Sequence, residues 1–171
     1  MELYLIRHAD AVALGEQGIN EDADRPLSDE GESQTRALAR ALTGRGVHLD
    51  AVVSSPLLRA RETAEGLRQV WPSPLPETSL TDELAPGGKR RKLVKLLRDL
   101  GVDSVALVGH QPELGQLVGW LIGSKKAQID MAKAGVAHIA CPDGPGKGKG
   151  VLLTLITPVW FGLNVPAEVK A

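Results

Sequence analysis

Short apolar runs alternate with longer amphipathic segments along most of the chain. The runs at 2–6, 51–53 and 104–108 are rich in aliphatic and β-branched residues, which is typical of buried strands. Two later runs, at 136–141 and 151–157, lie on either side of a glycine-rich stretch and predict an antiparallel hairpin. The pattern therefore predicts five strands.

Four segments between these runs predict helices. Ser28 can cap a helix that continues to about Gly44, with three acidic residues favourably placed in its first turn. Further helices are predicted at about 57–70, around the leucines of 93–100, and from Pro112 onward. Because strands and helices alternate, we expect a three-layer α/β/α sandwich with a mostly parallel central sheet. No linker or internal repeat divides the chain, so all 171 residues are expected to form one domain.

The composition excludes several classes of protein. Hydrophobic residues make up 43% and charged residues 24%, close to the averages for a globular domain. The net charge of -1 and an aromatic content of 3% argue against nucleic-acid binding. There is no secretory signal pattern and no apolar run of the ~20 residues that a bilayer requires. A single cysteine, Cys141, cannot form an internal disulfide, and we expect a cytoplasmic protein.

Cationic and imidazole side chains follow three of the predicted strands. Arg7 and His8 end the first strand, Arg59 begins the helix after the second, and His110 follows the run at 104–108. The carboxyl ends of parallel strands meet at one edge of a sheet, so we expect these four side chains to converge there.

Phosphate chemistry fits this set of side chains. Arginine offers fork-shaped donors that match phosphate oxygens, and a neutral imidazole is a competent nucleophile near pH 7. The two neighbouring arginines should hold the pKa of His8 below its usual value of about 6.5. The sequence therefore predicts a phosphate pocket that needs no metal and no cofactor.

Four motifs in order along the chain carry a resemblance to a known family. Together they resemble the histidine phosphatase superfamily, most closely its small SixA-type phosphohistidine phosphatase branch. The motifs are Leu-Ile-Arg-His-Ala-Asp at 5–10, Asp-Arg-Pro-Leu-Ser-Asp-Glu-Gly at 24–31, Ser-Ser-Pro-Leu-Leu-Arg-Ala-Arg-Glu-Thr-Ala at 54–64 and Val-Gly-His-Gln-Pro at 108–112.

The resemblance implies a phosphoglycerate mutase-like fold with His8 as the phosphoryl acceptor. By the same match, Arg7, Arg59 and His110 form the phosphate pocket. Ala9 stands where many members of the superfamily have glycine, a departure that is familiar in SixA-like sequences.

Two further residues are candidates with open alternatives. Glu83 lies in a segment, 81–87, that resembles the one holding the general acid in larger members of the family. A solvated loop carboxylate is the other interpretation, and a phosphohistidine substrate does not require a strong acid because imidazole leaves readily. Arg25 could bind substrate at the mouth of the pocket, or it could form an ion pair with Asp22 or Asp24.

The leading functional hypothesis is a metal-independent phosphatase that acts through phospho-His8 on phosphohistidine in a signalling protein. The alternative is a phosphatase or mutase for a small phosphorylated metabolite. Only 16 residues separate Pro72 from Lys89, too few for the capping insertions of larger members that act on small molecules. An open pocket of this kind suits a protein substrate.

Three other interpretations remain open at this point. His8, Asp10 and His110 could hold a divalent ion in a metallohydrolase, although Arg7 and Arg59 would repel that ion. A non-catalytic phosphate-binding or partner-binding module is also possible. The basic run at 89–92 is either a solvated helix start or a docking site for an acidic partner.

Overall fold

Six strands form one mixed sheet in the computed structural model, which describes residues 1–161. Their order across the sheet is β3-β2-β4-β1-β5-β6. The first four of these are parallel, whereas β5 pairs antiparallel with both β1 and β6. The strands are β1 (Glu2–Arg7), β2 (Ala51–Ser54), β3 (Ser79–Leu80), β4 (Ser104–Gly109), β5 (Val136–Ala140) and β6 (Val151–Ile156).

The mostly parallel sheet and the late hairpin are confirmed, and β3 is an addition to the five predicted strands. It has only two residues and follows a proline-rich connector, so it carries no hydrophobic pattern of its own. Residues 162–171, the end of the predicted domain, lie outside the described part of the chain.

The helices have the predicted positions to within a few residues. Ser28 caps the first of them as expected, because its Oγ accepts a hydrogen bond of 3.1 Å from the Gly31 N–H. Within residues 1–161, none of the helices is long and apolar enough to cross a membrane. The helices are α1 (Asp29–Thr43), α2 (Leu58–Val70), α3 (Arg90–Leu100) and α4 (Glu113–Leu121).

Two hydrophobic cores lie on opposite faces of the sheet. Successive side chains of a strand point to opposite faces, so Leu3 and Leu5 join one core while Tyr4 and Ile6 join the other. The first core packs against α3 and α4, and the second packs against α1 and α2. This arrangement is the predicted α/β/α sandwich.

The carboxyl ends of β1, β4 and β2 lie side by side at one edge of the sheet. Backbone hydrogen bonds continue the ladder past the strands: the His8 N–H donates to the Gly109 carbonyl oxygen at 3.0 Å, and the Ser55 N–H donates to Val108 at 2.9 Å. Consequently the residues that follow these three strands, His8, Ser55 and His110, occupy one small region.

Candidate active site

His8 is a buried imidazole whose hydrogen bonds define which ring nitrogen carries the proton. Its Nδ1 lies 2.7 Å from the Ala9 carbonyl oxygen, a group that can only accept, so Nδ1 carries the hydrogen. The Arg59 Nε–H, which can only donate, points to His8 Nε2 at 3.2 Å. The ring is therefore neutral, with its lone pair on Nε2 beside the Arg59 guanidinium.

The pKa of His8 is lowered from 6.5 to about 3, chiefly by burial, with smaller contributions in the same direction from His110, Arg59 and Arg7. The hydrogen bond to Ala9 acts in the opposite direction. The predicted downward shift is confirmed, with a different leading cause. Removal from water exceeds the effect of the arginines because the side chain is only 8% exposed.

His110 lies directly against His8. The centroids of the two rings are 5.0 Å apart, and His110 Nε2 is 2.9 Å from the Ser55 hydroxyl. Burial again lowers the pKa, here to about 4, with smaller contributions from Arg59 and Arg7. Both imidazoles are thus neutral near pH 7, and the positive charge of the site resides on its arginines.

Arg59 stands in the first turn of α2 and is only 5% exposed. Besides contacting His8, its two terminal nitrogens donate to Asp22, at 2.6 Å to the carbonyl oxygen and 3.0 Å to the carboxylate. Arg25 donates to the other carboxylate oxygen of Asp22 at 3.0 Å. Of the two interpretations of Arg25, the structure shows the ion pair with Asp22. Asp22 therefore bridges Arg25 and Arg59.

Asp22 is the residue of this site that sequence reasoning missed as a partner of Arg59. Burial acts to raise the pKa of its carboxyl group, but hydrogen bonds from Arg25 and Arg59 outweigh burial and lower the pKa overall. Asp22 is therefore a carboxylate near pH 7. It begins a short 3₁₀ turn (Asp22–Asp24) 37 residues before Arg59, and no local pattern signals a contact across that distance.

The loop before β5, residues 122–135, holds Arg7 and His8 in place. Arg7 donates to the Met131 carbonyl oxygen at 2.7 Å, and the Ala134 N–H donates to the His8 carbonyl oxygen at 3.2 Å. Ala134 has a φ of 53°, a left-handed conformation that is uncommon for alanine. These contacts use backbone atoms of the loop, which explains why its side chains gave no signal.

Asp10 belongs to the same support, and both of its carboxylate oxygens are bound by other side chains. It accepts hydrogen bonds from Lys133 Nζ at 2.6 Å and from the Ser28 hydroxyl at 2.5 Å. Asp10 therefore joins the start of α1 to the loop before β5. Within residues 1–161, no group of three His, Cys, Asp or Glu side chains is placed to hold a metal ion.

The carboxylate of Glu83 contacts the start of α3. One oxygen accepts a hydrogen bond of 2.5 Å from the Lys89 N–H, and the other lies 3.4 Å from Lys92 Nζ. In this conformation Glu83 caps a helix, and its assignment as a general acid stays a prediction.

Comparison with known proteins decides the family. The model of the histidine phosphatase superfamily, branch 1, matches residues 3–88, which is half of the chain. The chain belongs to the histidine phosphatase superfamily. This membership makes it a hydrolase of the superfamily and agrees with the resemblance carried by the four motifs.

Named relatives place this histidine phosphatase near the SixA branch. It is 34% identical to the phosphohistidine phosphatase SixA of Escherichia coli over 124 residues, 71% of this chain and 74% of that protein. It is 28% identical to a SixA homolog of Haemophilus influenzae over 170 residues, 94% and 99% of the two chains. A solved structure of SixA complexed with tungstate superposes with a TM-score of 0.81 at 27% identity, covering 93% and 98%. The phosphoglycerate mutase-like fold is thereby confirmed.

The pH dependence of the free enzyme should reflect the low pKa of His8. If His8 is the nucleophile, as the family resemblance implies, its imidazole must be neutral, and a pKa of about 3 keeps it neutral throughout mildly acidic solution. We expect kcat/KM, corrected for the ionisation of the substrate's own phosphoryl group, to stay nearly constant between about pH 5 and about pH 8. Rapid-quench measurement of phosphoenzyme formation checks this, and a fall with a midpoint near 6.5 would contradict it.

Proposed function

We propose that this histidine phosphatase dephosphorylates phosphohistidine in a protein, without a metal, through a phosphoryl intermediate on His8 Nε2. One observation carries the proposal: the hydrogen bonds from Nδ1–H to Ala9 and from Arg59 to Nε2 hold a neutral ring with its lone pair beside a guanidinium. A phosphoryl group bound to Arg59 would thus lie next to the nucleophilic nitrogen.

The reaction proceeds in two displacements in this proposal. In the first, a P–N bond forms to His8 Nε2 while the P–N bond of the substrate breaks. The substrate ring is protonated on its other nitrogen, so it keeps the electron pair of the broken bond and leaves as neutral imidazole. In the second, water attacks phosphorus and the bond to Nε2 breaks, with the electron pair returning to the ring. Both protons of the water stay on the product, which leaves as dihydrogen phosphate, and the neutral ring with its Nδ1–H is restored. Since imidazole is a good leaving group, the first displacement does not require a proton from Glu83.

Arg7, Arg59 and His110 are proposed to bind the phosphoryl oxygens. Their role is electrostatic, because charge spreads over the equatorial oxygens in the transition state and fixed donors stabilise it there. The terminal nitrogens of Arg59 now bind Asp22, so an arriving phosphoryl group would take the place of that carboxylate. Arg25 can remain on Asp22 and is proposed to bind substrate only at the mouth of the pocket.

Two observations support a protein substrate. The relatives at 34% and 28% identity are named as a phosphohistidine phosphatase and its homolog. In addition, the segment at 73–88 forms only the two-residue strand β3 and a short 3₁₀ turn (Asp82–Leu84), and it adds no domain over the sheet edge. A phosphorylated side chain presented by a folded protein can reach such an edge. The alternative substrate is a small phosphorylated metabolite.

Substrate comparison with rapid quenching in alkali tests the proposed function. Initial rates are measured on a phosphohistidine peptide, on sugar phosphates and on phosphorylated carboxylic acids, with and without EDTA. We expect the phosphohistidine peptide to give the highest kcat/KM, EDTA to leave it unchanged, and quenching to trap an acid-labile, base-stable phosphoenzyme.

Each other outcome has a definite meaning. A higher kcat/KM for one small phosphate would favour the metabolite alternative. Loss of activity in EDTA with recovery on adding a divalent ion would revive the metal hypothesis for His8, Asp10 and His110. Full activity without any phosphoenzyme would point to direct attack by water, and absence of turnover on every substrate would favour a binding module.

A further inference from the structure

Positive charge is concentrated on one helix, although the whole chain has a net charge of -1. Six cations lie exposed along α3 and its N-cap, and Asp99 is the single carboxylate of that helix. They line a groove of about 990 Å³ together with Trp120 of α4, whose ring lies 5.2 Å from the Arg90 guanidinium carbon. This α3 basic surface consists of Lys89, Arg90, Arg91, Lys92, Lys95 and Arg98.

Helix stability does not explain the α3 basic surface. The N-terminus of a helix is its positive end, where acidic side chains are favourable and cations are unfavourable. Helix α1 follows this rule with three acidic residues in its first turn, whereas α3 has none there and begins with Arg90, Arg91 and Lys92. A cationic first turn at the positive end of a helix instead favours the binding of a negatively charged group.

The α3 basic surface begins beside the active site. Glu83, in the short turn that follows β3, accepts the Lys89 N–H and ties the start of α3 to the edge of the sheet. The carbonyl oxygen of the next residue, Leu84, packs closely on Gly109. A Cβ added at Gly109 would lie 3.2 Å from that oxygen. Gly109 immediately precedes His110, so the helix starts one short turn from the pocket.

The size of the surface decides what kind of molecule it fits. Eleven helical residues extend for about 16 Å, beyond the reach of a small phosphate held in the pocket. A folded protein can span both places at once. Nucleic acid is less suited, because Trp120 is the one aromatic ring among the residues within 1–161 that line the groove, and single strands bind on several stacked rings.

We propose that the α3 basic surface docks an acidic face of the phosphoprotein substrate, so that its charges steer that protein towards His8. The inference rests on the proposed function for the identity of the substrate. Electrostatic docking of this kind raises the association rate, is weakened by salt, and leaves the chemical step unchanged.

Charge reversal at two exposed positions tests the docking. Arg91→Glu/Lys95→Glu changes an i, i+4 pair on α3, and Arg36→Glu/Arg40→Glu changes a matched i, i+4 pair of exposed arginines on α1, across the sheet. Circular dichroism verifies that both variants fold. None of the four residues belongs to the proposed catalytic machinery, so free phosphohistidine should be hydrolysed equally by both variants and the wild type.

Two synthetic peptides serve as probes. In one of them the phosphohistidine is followed by a run of glutamates, and in the other by a run of serines. We expect the wild type to prefer the acidic peptide by about tenfold in kcat/KM at low ionic strength, and to lose this preference at about 0.5 M salt. The α3 variant should lose the preference and the α1 variant should keep it. An α3 variant that keeps the preference, or an α1 variant that loses it equally, would overturn the proposal.

Binding of a fluorescent octaglutamate peptide separates this inference from the proposed function, because it involves no chemistry. Weaker binding by the α3 variant than by the wild type supports docking even if phosphohistidine is not hydrolysed. Equal binding by the two proteins overturns docking even if phosphohistidine is hydrolysed. Single-stranded DNA and anionic vesicles are tested in the same way. If either binds more tightly than octaglutamate and the α3 variant loses that binding, the docking proposal is overturned in favour of a nucleic acid or a membrane.

Discussion

His8→Ala should lower kcat/KM by at least about a thousandfold, because it removes the protein atom proposed to form a bond to phosphorus. The phosphoenzyme should disappear along with turnover. The remaining donors, Arg59 and His110 among them, are held by partners other than His8, namely Asp22 and Ser55. The variant should therefore still bind vanadate, which calorimetry can measure beside the kinetics.

His48→Ala is the matched control for this variant. His48 is exposed and bonds to Asp50 at 3.1 Å, away from the carboxyl edge of the sheet, so its replacement should leave kcat/KM unchanged. A residual rate in His8→Ala within about tenfold of the wild type would contradict covalent catalysis through this residue. Loss of activity together with vanadate binding would instead indicate a collapsed pocket.

Arg59→Lys should raise the free energy of the transition state by about 2–4 kcal/mol, a loss of about 30-fold to about 900-fold in kcat/KM. Lysine keeps the charge but has a single ammonium group in place of the planar fork. One ammonium cannot take over both the contact to His8 Nε2 and the pair of contacts to Asp22. We expect kcat to fall as well as KM to rise, since the donors act on charge that develops during the reaction.

Arg61→Lys provides the comparison on the same helix. Arg61 lies two positions further along α2 and is exposed, as its sequence position predicts, so the substitution should leave both kcat and KM near wild-type values. Wild-type kinetics in Arg59→Lys would remove that residue from the pocket. Equal losses in both variants would mean that the effect comes from the stability of α2, which thermal unfolding would reveal.

Local chemistry makes much of the architecture readable from the sequence. Alternating apolar runs and amphipathic segments predict the strands and helices, and Ser28 predicts the start of α1 through its side-chain cap. The placement of His8 and His110 at the ends of two strands follows from the same pattern. Parallel strands bring their carboxyl ends to one edge, so the convergence of these residues required no knowledge of tertiary contacts.

Only the tertiary structure decided how the converging residues are used. The ionisation of His8 depends mainly on burial, and the position of its proton depends on the Ala9 carbonyl oxygen and the Arg59 Nε–H. Asp22 on Arg59 is likewise a contact between residues far apart in the chain, and so is Met131 on Arg7. Backbone carbonyl groups are identical in every residue, and long-range neighbours leave no periodic pattern. Sequence therefore determines which groups reach the edge of the sheet, and packing determines their charge, their proton positions and their partners.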